Sequence, residues 1–575
     1  MDYRERYEKW LNSPVIDRAT KEELMSIRED EKEIEDRFYK DLEFGTGGLR
    51  GIIGAGSNRM NRYTVGKATQ GLANYIKKQG KGAMDRGVAI AYDSRHCSSQ
   101  FANDAALVLN ANGIKTYIYE ELQPTPILSY TVRSLGAVAG IVVTASHNPP
   151  MYNGYKVYWE DGAQVTDNRD VEIIREVQRV EGFAAVKSMD IKEAKEKGLY
   201  NIVGQDIIDS YIDKVKELSV NRDIIEEVGS DLQIVYTPLH GSGNKPVRRV
   251  LKELGFKNVA VVPEQELPDP NFSTVKYPNP EERESLELAI GLAQERDADV
   301  VIGTDPDCDR VGVVVRNGDG EYVSLTGNQV GALLVDYYLG ALKSKGQLPR
   351  DGIMIKTIVT SELGAEIAKH YGVNVTNTLT GFKFICGKVR EFEETGDFTF
   401  VFGYEESYGY LAGDFVRDKD GVIASMLVCE MAAYYKSKGM TLYDALEDIW
   451  SRFGYYREEM RPIVLMGKEG MEKIKNIMEG LRRNPPSEMA GIEVVSIEDY
   501  LESKKVDLNT REETYIELPK SNVLKYRLAD GSWFAIRPSG TEPKIKLYFS
   551  VNGRDRQSVD RRTDEFIDHV SDMIK

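Results

Sequence analysis

The chain has 575 residues, of which 41% are hydrophobic and 29% charged, and a net charge of −17 at pH 7. This length exceeds what one hydrophobic core normally supports, so we expect several domains, and the composition excludes a disordered or fibrous protein. The negative charge disfavours nucleic acid and anionic membranes as partners, because binding to both relies on clustered Lys and Arg.

The start of the sequence is polar, and no apolar run approaches the roughly 20 residues that cross a bilayer. We therefore expect a cytoplasmic protein. The four cysteines are far apart and form no CxxC pair, which indicates free thiols and neither a disulfide framework nor a zinc site.

The first predicted element is an amphipathic helix that ends before Gly45, because apolar residues recur at near-helical spacing in a charged background. They are Leu24, Ile27, Ile34, Phe38 and Leu42. Behind this helix, short apolar runs alternate with helix-like stretches, which predicts α/β architecture. The runs are VAIAY (88–92), GIVVTA (140–145), LQIVYT (232–237), DVVIGTD (299–305) and GIMIKTIV (352–359).

The pattern changes after residue 455. Strand-like runs such as GIEVVSI and SWFAI, with an amphipathic helix near the C-terminus, predict a smaller α+β domain. We place domain boundaries near residues 205, 320 and 455. The predicted domains are therefore 1–205, 206–320, 321–455 and 456–575. Ligands of open α/β sheets gather beyond the carboxyl ends of strands, so the loops that follow the predicted strands are the places to search for a site.

Three acidic residues in the second region predict a metal site. Asp305, Asp307 and Asp309 lie at i, i+2 and i+4 directly after a strand-like run. In an extended or tightly looped backbone this spacing turns three carboxylates toward one point, where a hard cation such as Mg²⁺ neutralises them. A solvated acidic loop is the plainer alternative, but three like charges this close repel one another. A calcium EF-hand is excluded, since Arg310 and Arg316 stand where it needs Gly and Glu.

A serine is displayed on a predicted loop of the first region. Ser146 lies in VVTASHNPPMYNGYKVYW, between a buried-strand pattern and an Asn153-Gly154 turn that suggests a hairpin. An acyl-transfer elbow would read GxSxG, and Thr144 and Asn148 take its glycine positions, which disfavours hydrolase chemistry. On its own, such a serine is more often a turn residue than a nucleophile.

Two glycine-containing segments predict phosphate-binding loops. GTGGLRG (45–51) offers backbone groups and Arg50, and it matches neither a Walker loop nor GxGxxG. RPSGTEPK (537–544) combines a guanidinium, two hydroxyls, a glycine and a lysine, a composition suited to an oxyanion. An ordinary glycine-rich turn and a polar turn between strands are the respective alternatives.

The third region carries polar residues around a predicted buried strand, FTFVFGY. TLTGFKF (378–384) precedes this strand, and GYEESYGY (403–410) overlaps its end. The carboxylate of Glu405 and the hydroxyl of Ser407 alternate in sequence, which places both to face one edge of a sugar. Alone, these residues would pass for surface polar groups.

Taken together and in this order, the motifs GTGGLRG, TASHNPP, DPDCDR, GYEES and RPSGTEP resemble the α-D-phosphohexomutase superfamily, which includes phosphoglucomutases and phosphomannomutases. The resemblance spans residues 45 to 546 and points to the bacterial phosphoglucomutase and phosphopentomutase-like branch. It implies an α/β fold in which three related α/β domains and a smaller C-terminal α+β domain surround a central cleft.

The resemblance also implies roles for individual residues. Ser146 would be the phosphoserine and would hold Mg²⁺ together with Asp305, Asp307 and Asp309. The residues implied to lie at the reacting centre are Arg50, Lys156, Arg310 and Lys419, the last of which resembles a lysine of glucose-specific members. The residues implied to bind the substrate are Thr380, Gly381, Lys383, Glu405, Ser407, Arg537, Ser539, Gly540 and Thr541. Of this set, the residues from Arg537 onward would hold the phosphate that is not transferred.

The implied activity is of the phosphoglucomutase type. Phospho-Ser146 donates its phosphoryl group to a hexose monophosphate, the bisphosphate turns round, and its other phosphate returns to the serine. Glucose 1-phosphate and glucose 6-phosphate would interconvert in this way. Glucose 1,6-bisphosphate would prime the enzyme as an activator, and we expect a monomer or a weak homodimer.

Three alternatives stay open at this point. The specificity could be that of a phosphomannomutase or a phosphopentomutase. A haloacid-dehalogenase-like phosphatase or mutase would form an aspartyl phosphate at Asp305, which follows a strand as part of a DxD motif. A sugar-phosphate sensor would keep the binding loops without turnover, but an intact serine and acidic triad argue against it.

Overall fold

The structure is a computed structural model that describes residues 2–45, 47–166, 168–465, 467–538 and 544–574; of residues 467 and 468 it describes only the backbone. Within these ranges the strands form four sheets that follow one another along the chain. Of the helices described, none combines the length and the apolar composition needed to cross a membrane.

In the part of the chain that the structure describes, three helices precede the first sheet, where the sequence predicts one. They are α1 (Tyr3–Asn12), α2 (Arg18–Ser26) and α3 (Glu31–Phe38). Aspartates cap the second and third: Asp17 accepts a hydrogen bond from the backbone N–H of Thr20, and Asp30 accepts one from that of Glu33. Because each cap starts a new helix, the predicted single helix is wrong, although most of its apolar residues pack together.

The first sheet contains mostly parallel strands. They are β1 (Gly48–Ile52), β2 (Val88–Tyr92), β3 (Thr116–Ile118), β4 (Ala139–Val143), β5 (Tyr152–Trp159) and β6 (Tyr200–Ile202), in the order β1-β5-β4-β2-β3-β6. The helices of this region are α4 (Arg62–Lys78), α5 (Lys81–Arg86), α6 (Ser98–Ala111), α7 (Thr125–Leu135), α8 (Arg169–Gln178) and α9 (Ile191–Glu196), with a 3₁₀ turn at Phe183–Ala185. Strands β2 and β4 are wholly buried, which explains their apolar sequences.

The second sheet has the order β11-β10-β9-β7-β8 and begins with two helices. Its strands are β7 (Gln233–Thr237), β8 (Asn258–Val261), β9 (Val300–Thr304), β10 (Val311–Arg316) and β11 (Tyr322–Leu325). The helices are α10 (Gln205–Glu217), α11 (Arg222–Val228), α12 (Asn244–Leu254), α13 (Pro263–Glu266) and α14 (Glu287–Arg296), with a 3₁₀ turn at Arg283–Leu286. Because β11 pairs with β10, this sheet extends past the boundary predicted near residue 320.

The third sheet has the order β13-β12-β14-β15 and is accompanied, in the part of the chain described, by five helices. Its strands are β12 (Gly352–Thr357), β13 (Asn374–Thr378), β14 (Thr399–Glu405) and β15 (Gly409–Ala412). The helices are α15 (Gly327–Ser344), α16 (Glu362–Tyr371), α17 (Phe382–Thr395), α18 (Gly421–Ser437) and α19 (Leu442–Phe453).

The fourth region is an antiparallel sheet with two long helices. The strands are β16 (Tyr455–Val464), β17 (Glu488–Met489), β18 (Ile492–Asp499), β19 (Lys504–Asp507), β20 (Glu513–Tyr515), β21 (Leu524–Leu528), β22 (Trp533–Pro538) and β23 (Lys544–Gly553). The helices are α20 (Gly467–Arg483) and α21 (Arg556–Ile574). The sheet order is β16-β23-β22-β21-β18-β19-β20, with β17 paired to β18.

The hydrophobic cores divide the molecule differently from the sheets. One continuous core, called the shared core below, joins buried residues of the first three regions, from Ala89 to Ile449. The fourth region has a core of its own, from Tyr455 to Ile574. A small bridge cluster joins the third and fourth regions. Its buried members are Ile358, Val359, Leu379, Tyr500, Val523, Trp533, Ala535 and Tyr548.

Candidate active site

The loop that carries Ser146 connects β4 to β5. These strands are antiparallel, so the predicted hairpin is present, but Asn153 and Gly154 lie inside β5 and not at a turn. A Cβ at Gly154 would collide with the carbonyl oxygen of Thr144, so the close approach of the two strands requires glycine there. The turn predicted at Asn153-Gly154 is therefore wrong, and residues 144–151 form the connection.

Ser146 is buried and has a left-handed backbone conformation, with φ at +51°. This conformation is unfavourable for residues other than glycine and must be held by the surrounding structure. The Oγ of Ser146 donates a hydrogen bond of 2.6 Å to Oδ2 of Asp305, and Nδ1 of His147 lies 3.2 Å from the same Oγ. Burial lowers the pKa of His147 well below its usual value, so its ring is neutral near pH 7.

The three predicted metal ligands form one buried cluster between β9 and β10. One carboxylate oxygen from each of Asp305, Asp307 and Asp309 lies within 4.8 Å of the other two. Oδ1 of Asp307 and Oδ1 of Asp309 are buried and have no hydrogen-bond donor among the described residues. Buried carboxylate oxygens normally have donors or bind a cation, and hard divalent cations prefer such oxygens. The cluster therefore fits a metal ion such as Mg²⁺.

Burial and neighbouring charges separate the pKa values in this acidic cluster. Burial, together with the charges of Asp307 and Asp309, raises the pKa of Asp305 well above its usual range. Burial acts in the same direction on Asp307, but the Nζ of Lys156, 2.8 Å from its Oδ2, holds the pKa of Asp307 below its usual range. A divalent cation would favour the ionised form of all three carboxylates.

Three of the predicted cations surround the acidic cluster. Lys156 lies on β5, and the Nζ of Lys419 is 2.9 Å from Oδ2 of Asp309. Arg310 forms an ion pair with Glu281, a residue that the sequence analysis did not single out. Although burial opposes the effect, the neighbouring carboxylates raise the pKa of Lys419 and of Arg310, so both are cations at physiological pH.

Hydrogen bonds fix the loop of the acidic cluster to two other regions. The backbone N–H of Thr125, at the start of α7, donates to the carbonyl oxygen of Asp307 at 2.9 Å. The backbone N–H of Gly421, at the start of α18, donates to the carbonyl oxygen of Cys308 at 3.0 Å. The position of the acidic loop therefore depends on the first, second and third regions at once.

Arg50 lies on β1, at the edge of the first sheet and next to β5. Its side chain is exposed, and its Nη1 donates a hydrogen bond of 3.1 Å to Oδ1 of Asn148 in the Ser146 loop. Much of the predicted phosphate loop at 45–51 is thus a strand that borders the serine loop. Thr46 lies outside the described residues.

The predicted sugar-binding residues of the third region gather around Glu405, at the end of β14. Glu405 is buried and accepts a hydrogen bond of 2.8 Å from the backbone N–H of Gly381, which brings the two predicted segments together. Burial raises the pKa of Glu405 to about 7. Thr380, Lys383 and Ser407 lie in the adjoining turns and first helical turn and are partly exposed.

Arg537 lies on β22 of the fourth region, opposite Lys546 of β23. Burial, the charge of Lys544 and the charge of Arg537 lower the pKa of Lys546, whereas Glu281 and Glu406 act to raise it. The charges that act on Lys546 thus include glutamates of the second and third regions. The other predicted members of the loop lie outside the described residues; they are Ser539, Gly540 and Thr541.

The sequence motifs did not single out Asp93 and Arg95, two charged residues that follow β2. Arg95 donates a hydrogen bond of 2.5 Å to the carbonyl oxygen of Ser146, and Asp93 accepts one of 2.6 Å from Oγ1 of Thr144. A signal for both was available, because they stand just beyond the carboxyl end of a wholly apolar strand, where the ligands of α/β proteins gather.

Family models match four consecutive parts of the chain. Those of phosphoglucomutase/phosphomannomutase α/β/α domains I, II and III match residues 41–182, 209–318 and 326–453, and that of the C-terminal domain matches residues 482–569. The chain belongs to the phosphoglucomutase/phosphomannomutase family. The predicted family, the predicted fold class of three α/β domains with a C-terminal α+β domain, and the prediction that the chain is an enzyme are confirmed.

Relatives within this family cover most of the chain. A phosphoglucomutase of Staphylococcus haemolyticus (strain JCSC1435) is 41% identical over 519 residues, which are 90% of this chain and 92% of the relative. A phosphoglucomutase of Staphylococcus aureus (strain MRSA252) is 39% identical over 555 residues, which are 96% of this chain and 97% of the relative.

Solved structures share the fold at lower identity. The open form of parafusin, an exocytosis-sensitive phosphoprotein and phosphoglucomutase of Paramecium, has a TM-score of 0.70 at 18% identity, covering 93% of this chain and 95% of its own. A phosphoglucomutase/phosphomannomutase family protein of Burkholderia thailandensis has a TM-score of 0.64 at 20% identity, covering 92% and 97%.

Proposed function

We propose that the protein is a phosphoglucomutase that interconverts glucose 1-phosphate and glucose 6-phosphate through a phosphoserine at Ser146. The observation that carries the proposal is the 2.6 Å contact between Oγ of Ser146 and Oδ2 of Asp305, inside a buried acidic cluster that fits a metal ion. The relatives named phosphoglucomutase, at 39% and 41% identity, support glucose as the sugar.

In the proposed cycle, the phosphoryl group leaves Oγ of Ser146 for the free hydroxyl of a hexose monophosphate, and the proton of that hydroxyl ends on the Oγ that the phosphoryl group has left. The bisphosphate then turns round in the cleft, and its other phosphoryl group returns to the same Oγ. Water is neither consumed nor released in this reaction. Ser146 is only 3% exposed, which supports transfer between serine and sugar over hydrolysis.

To catalyse phosphoryl transfer, a protein mainly has to position the reacting groups and neutralise the charge on the phosphoryl group. We assign Asp305, Asp307 and Asp309 as the ligands of Mg²⁺, together with an oxygen at Ser146. The bound ion would neutralise charge on the transferring group.

Four cations complete the reacting centre in this proposal. Lys156 and Lys419 lie beside two of the triad carboxylates, at 2.8 and 2.9 Å, and Arg310 is held in place by Glu281. Arg50 borders the serine loop from β1. We assign these side chains to the oxygens of the phosphoryl group as it moves.

The remaining predicted residues are assigned to the far end of the substrate. Glu405 and Ser407 would bind sugar hydroxyls, with the segment that contains Thr380, Gly381 and Lys383 beside them. The hydrogen bond between Glu405 and Gly381 supports this grouping. The loop that begins at Arg537 would hold the phosphate that is not transferred; its further proposed members are Ser539, Gly540 and Thr541.

The geometry disfavours an aspartyl phosphate at Asp305. Its Oδ1 accepts backbone N–H groups of Asp309 and Arg310 at 3.1 Å, and its Oδ2 accepts the hydroxyl of Ser146. Both oxygens are therefore already engaged by hydrogen-bond donors of the chain. An acyl phosphate would be released by hydroxylamine, whereas a phosphoserine survives it.

The test is turnover of glucose 1-phosphate by the purified protein with Mg²⁺, combined with peptide mass spectrometry. We expect glucose 6-phosphate as the product and phosphate on Ser146 in part of the molecules. Mannose, glucosamine and ribose 1-phosphates, assayed in parallel, separate the possible specificities. Phosphate found only on Asp305, or a higher kcat/KM for mannose or ribose 1-phosphate than for glucose 1-phosphate, would refute the proposal.

Three finer features belong to the same proposal. Glucose 1,6-bisphosphate would activate the enzyme by restoring phosphoserine when an intermediate escapes. We place the enzyme in the cytoplasm, and the presence of three buried cysteines as free thiols is compatible with a reducing compartment. We expect a monomer or a weak homodimer.

A further inference from the structure

We propose that Arg95 and Asp93 form a frame that positions Ser146 for phosphoryl transfer. The proposal rests on the proposed function and adds positioning residues to it. Both side chains are 0% exposed and form an ion pair of 3.2 Å, so neither can touch a substrate. Any effect of these residues on catalysis must therefore pass through the serine loop.

Arg95 binds the serine loop through both arms of its guanidinium. Its Nη2 donates to the carbonyl oxygens of Ser146, at 2.5 Å, and of Asn148. Its Nη1 donates to those of Pro149, at 2.8 Å, and of Tyr152, at 3.1 Å. One planar, rigid group thus fixes four carbonyl oxygens of a segment only seven residues long, 146–152.

Asp93 holds the other side of the same serine. Its Oδ2 accepts the hydroxyl of Thr144 at 2.6 Å, and Oγ1 of Thr144 accepts the backbone N–H of Ser146 at 2.8 Å. Its Oδ1 accepts the backbone N–H of Arg95 at 3.0 Å. The N–H of Ser146 is therefore fixed through Asp93, and its carbonyl oxygen is fixed through Arg95.

The chemistry explains why the serine needs such a frame. The backbone of Ser146 has a φ of +51°, which a loop does not adopt without support. The same Oγ must also meet two different sugar oxygens in each cycle, and a shift of about 1 Å in a reacting group can cost roughly a hundred-fold in rate. Because the frame binds the main chain of Ser146 and not its hydroxyl, it holds Oγ in place whether or not the serine carries phosphate.

The second region covers this frame. The ring of Phe272 lies 4.9 Å from the guanidinium of Arg95, and Nε2 of His96 lies 2.8 Å from Oδ1 of Asn271. Phe272 itself is buried and has a left-handed backbone, with φ at +48°. The contacts orient the frame with respect to the acidic cluster, because that cluster belongs to the same region as Phe272.

The decisive variants are Arg95→Lys, which keeps the charge and loses the fork, and Thr144→Val, which keeps the shape and loses the hydroxyl. The matched control is Arg59→Lys. Arg59 is also a buried arginine of the first region, and it donates to the backbone carbonyl oxygens of Asp36 and Asn58. The control therefore measures the cost of losing a buried arginine fork away from the serine loop.

We expect Arg95→Lys to lower kcat by about ten- to a hundred-fold, and Thr144→Val by roughly ten-fold, with KM for glucose 1-phosphate within about two-fold of wild type. Single-turnover phosphoryl transfer from glucose 1,6-bisphosphate to the dephosphorylated enzyme should fall in parallel. Amide hydrogen exchange in residues 146–152 should rise by about ten-fold or more in Arg95→Lys. Arg59→Lys should leave kcat and this exchange unchanged.

The frame is refuted if Arg95→Lys behaves like Arg59→Lys in kcat and in exchange at equal thermal stability, or if the loss falls on KM alone. If the wild type shows no mutase turnover, the proposed function fails. In that case the exchange comparison still decides whether Arg95 holds the loop. If a variant at Arg95 does not fold, Thr144→Val still tests the frame, and an unchanged kcat in that variant would refute it.

Discussion

The first three regions and the fourth region hold their parts of the site in different ways. The acidic loop contributes Cys308 to the shared core, and hydrogen bonds from Thr125 to Asp307 and from Ser146 to Asp305 cross from one region to another. Arg537 lies on a sheet with its own core. The loop of the proposed metal ligands is thus fixed by three regions at once, whereas the proposed binding site for the other phosphate belongs to a region with a separate core.

The attachment of the fourth region differs in chemistry from the shared core. Lys525 is fully buried beside the bridge cluster, donates a hydrogen bond of 2.6 Å to the carbonyl oxygen of Ile358, and lies 4.0 Å from the ring of Trp533. Glu362 of the third region is 3.6 Å from Lys525. A buried amino group therefore contributes to this interface, so the stability of the interface should depend on pH in a way that the stability of an apolar core does not.

The largest predicted effect comes from removing the hydroxyl of Ser146, which lies among the first three regions. Ser146→Ala should lower mutase activity by about 10⁴-fold or more, because it removes the oxygen that we propose to carry the phosphoryl group. Stability should fall only modestly, by about 1–3 kcal/mol, because Asp305 loses one hydroxyl donor while the contacts of Arg95 and Thr144 with the main chain remain. A coupled assay and a melting curve check both points. Near-normal turnover would contradict the phosphoserine cycle.

Weakening the acidic cluster should have the next largest effect. Asp307→Asn should lower kcat by about a hundred-fold or more, because one ligand of the proposed Mg²⁺ is lost. EDTA should inhibit the wild type, and added Mg²⁺ should restore it. Asp299→Asn is the control, since Asp299 lies just before β9 in the same region and pairs with Lys436 at 2.7 Å. Full activity in EDTA would remove the metal from the proposal.

A substitution in the proposed phosphate-binding loop of the fourth region should weaken the binding of the substrate. A charge-assisted hydrogen bond to phosphate contributes about 1.5–3 kcal/mol, so Arg537→Ala should raise KM by roughly ten- to a hundred-fold. Its kcat should fall less, and activity should depend more steeply on glucose 1,6-bisphosphate. Arg461→Ala, at an exposed arginine on β16, is the matched control in steady-state kinetics. An unchanged KM and activator dependence would place Arg537 outside the site.

The smallest predicted effect concerns the interface itself. Burial lowers the pKa of Lys525 to about 7, from a usual value of 10.5. The unfolded chain therefore binds more protons between these values, and the stability of the folded form rises with pH from about 7 towards 10. Lys525→Met should remove this pH dependence, which amounts to about 2 kcal/mol between pH 7 and 9. Denaturant unfolding at several pH values measures it, and equal slopes in both proteins would contradict the assignment.

Local patterns were enough to predict most of the elements around the site. The run VAIAY became β2 without a shift, because a wholly buried strand needs an unbroken apolar sequence. The spacing of Asp305, Asp307 and Asp309 likewise predicted one cluster, since three carboxylates on a tight loop have few other arrangements. The roles of these residues stay predictions until they are tested.

What the sequence could not provide were interactions between distant segments. The caps at Asp17 and Asp30 outweighed a helical pattern that continued across them. The sequence predicts a turn at Gly154, whereas the structure shows that glycine is needed there because the carbonyl oxygen of Thr144 lies too close for a side chain. The pairing of Arg310 with Glu281 and of Arg95 with the serine loop joins residues far apart in the chain, and such pairs have no local signature.

The contacts between the acidic loop and the start of α18 have a consequence for synthesis on the ribosome. Asp309 is translated 110 residues before Lys419, its ion-pair partner, and Gly421, which binds the same loop, follows directly. At the usual elongation rates, this gap lasts roughly 5 to 20 seconds. During that time the acidic loop lacks these third-region contacts. The proposed phosphoserine site is therefore complete only after the third region has been synthesised.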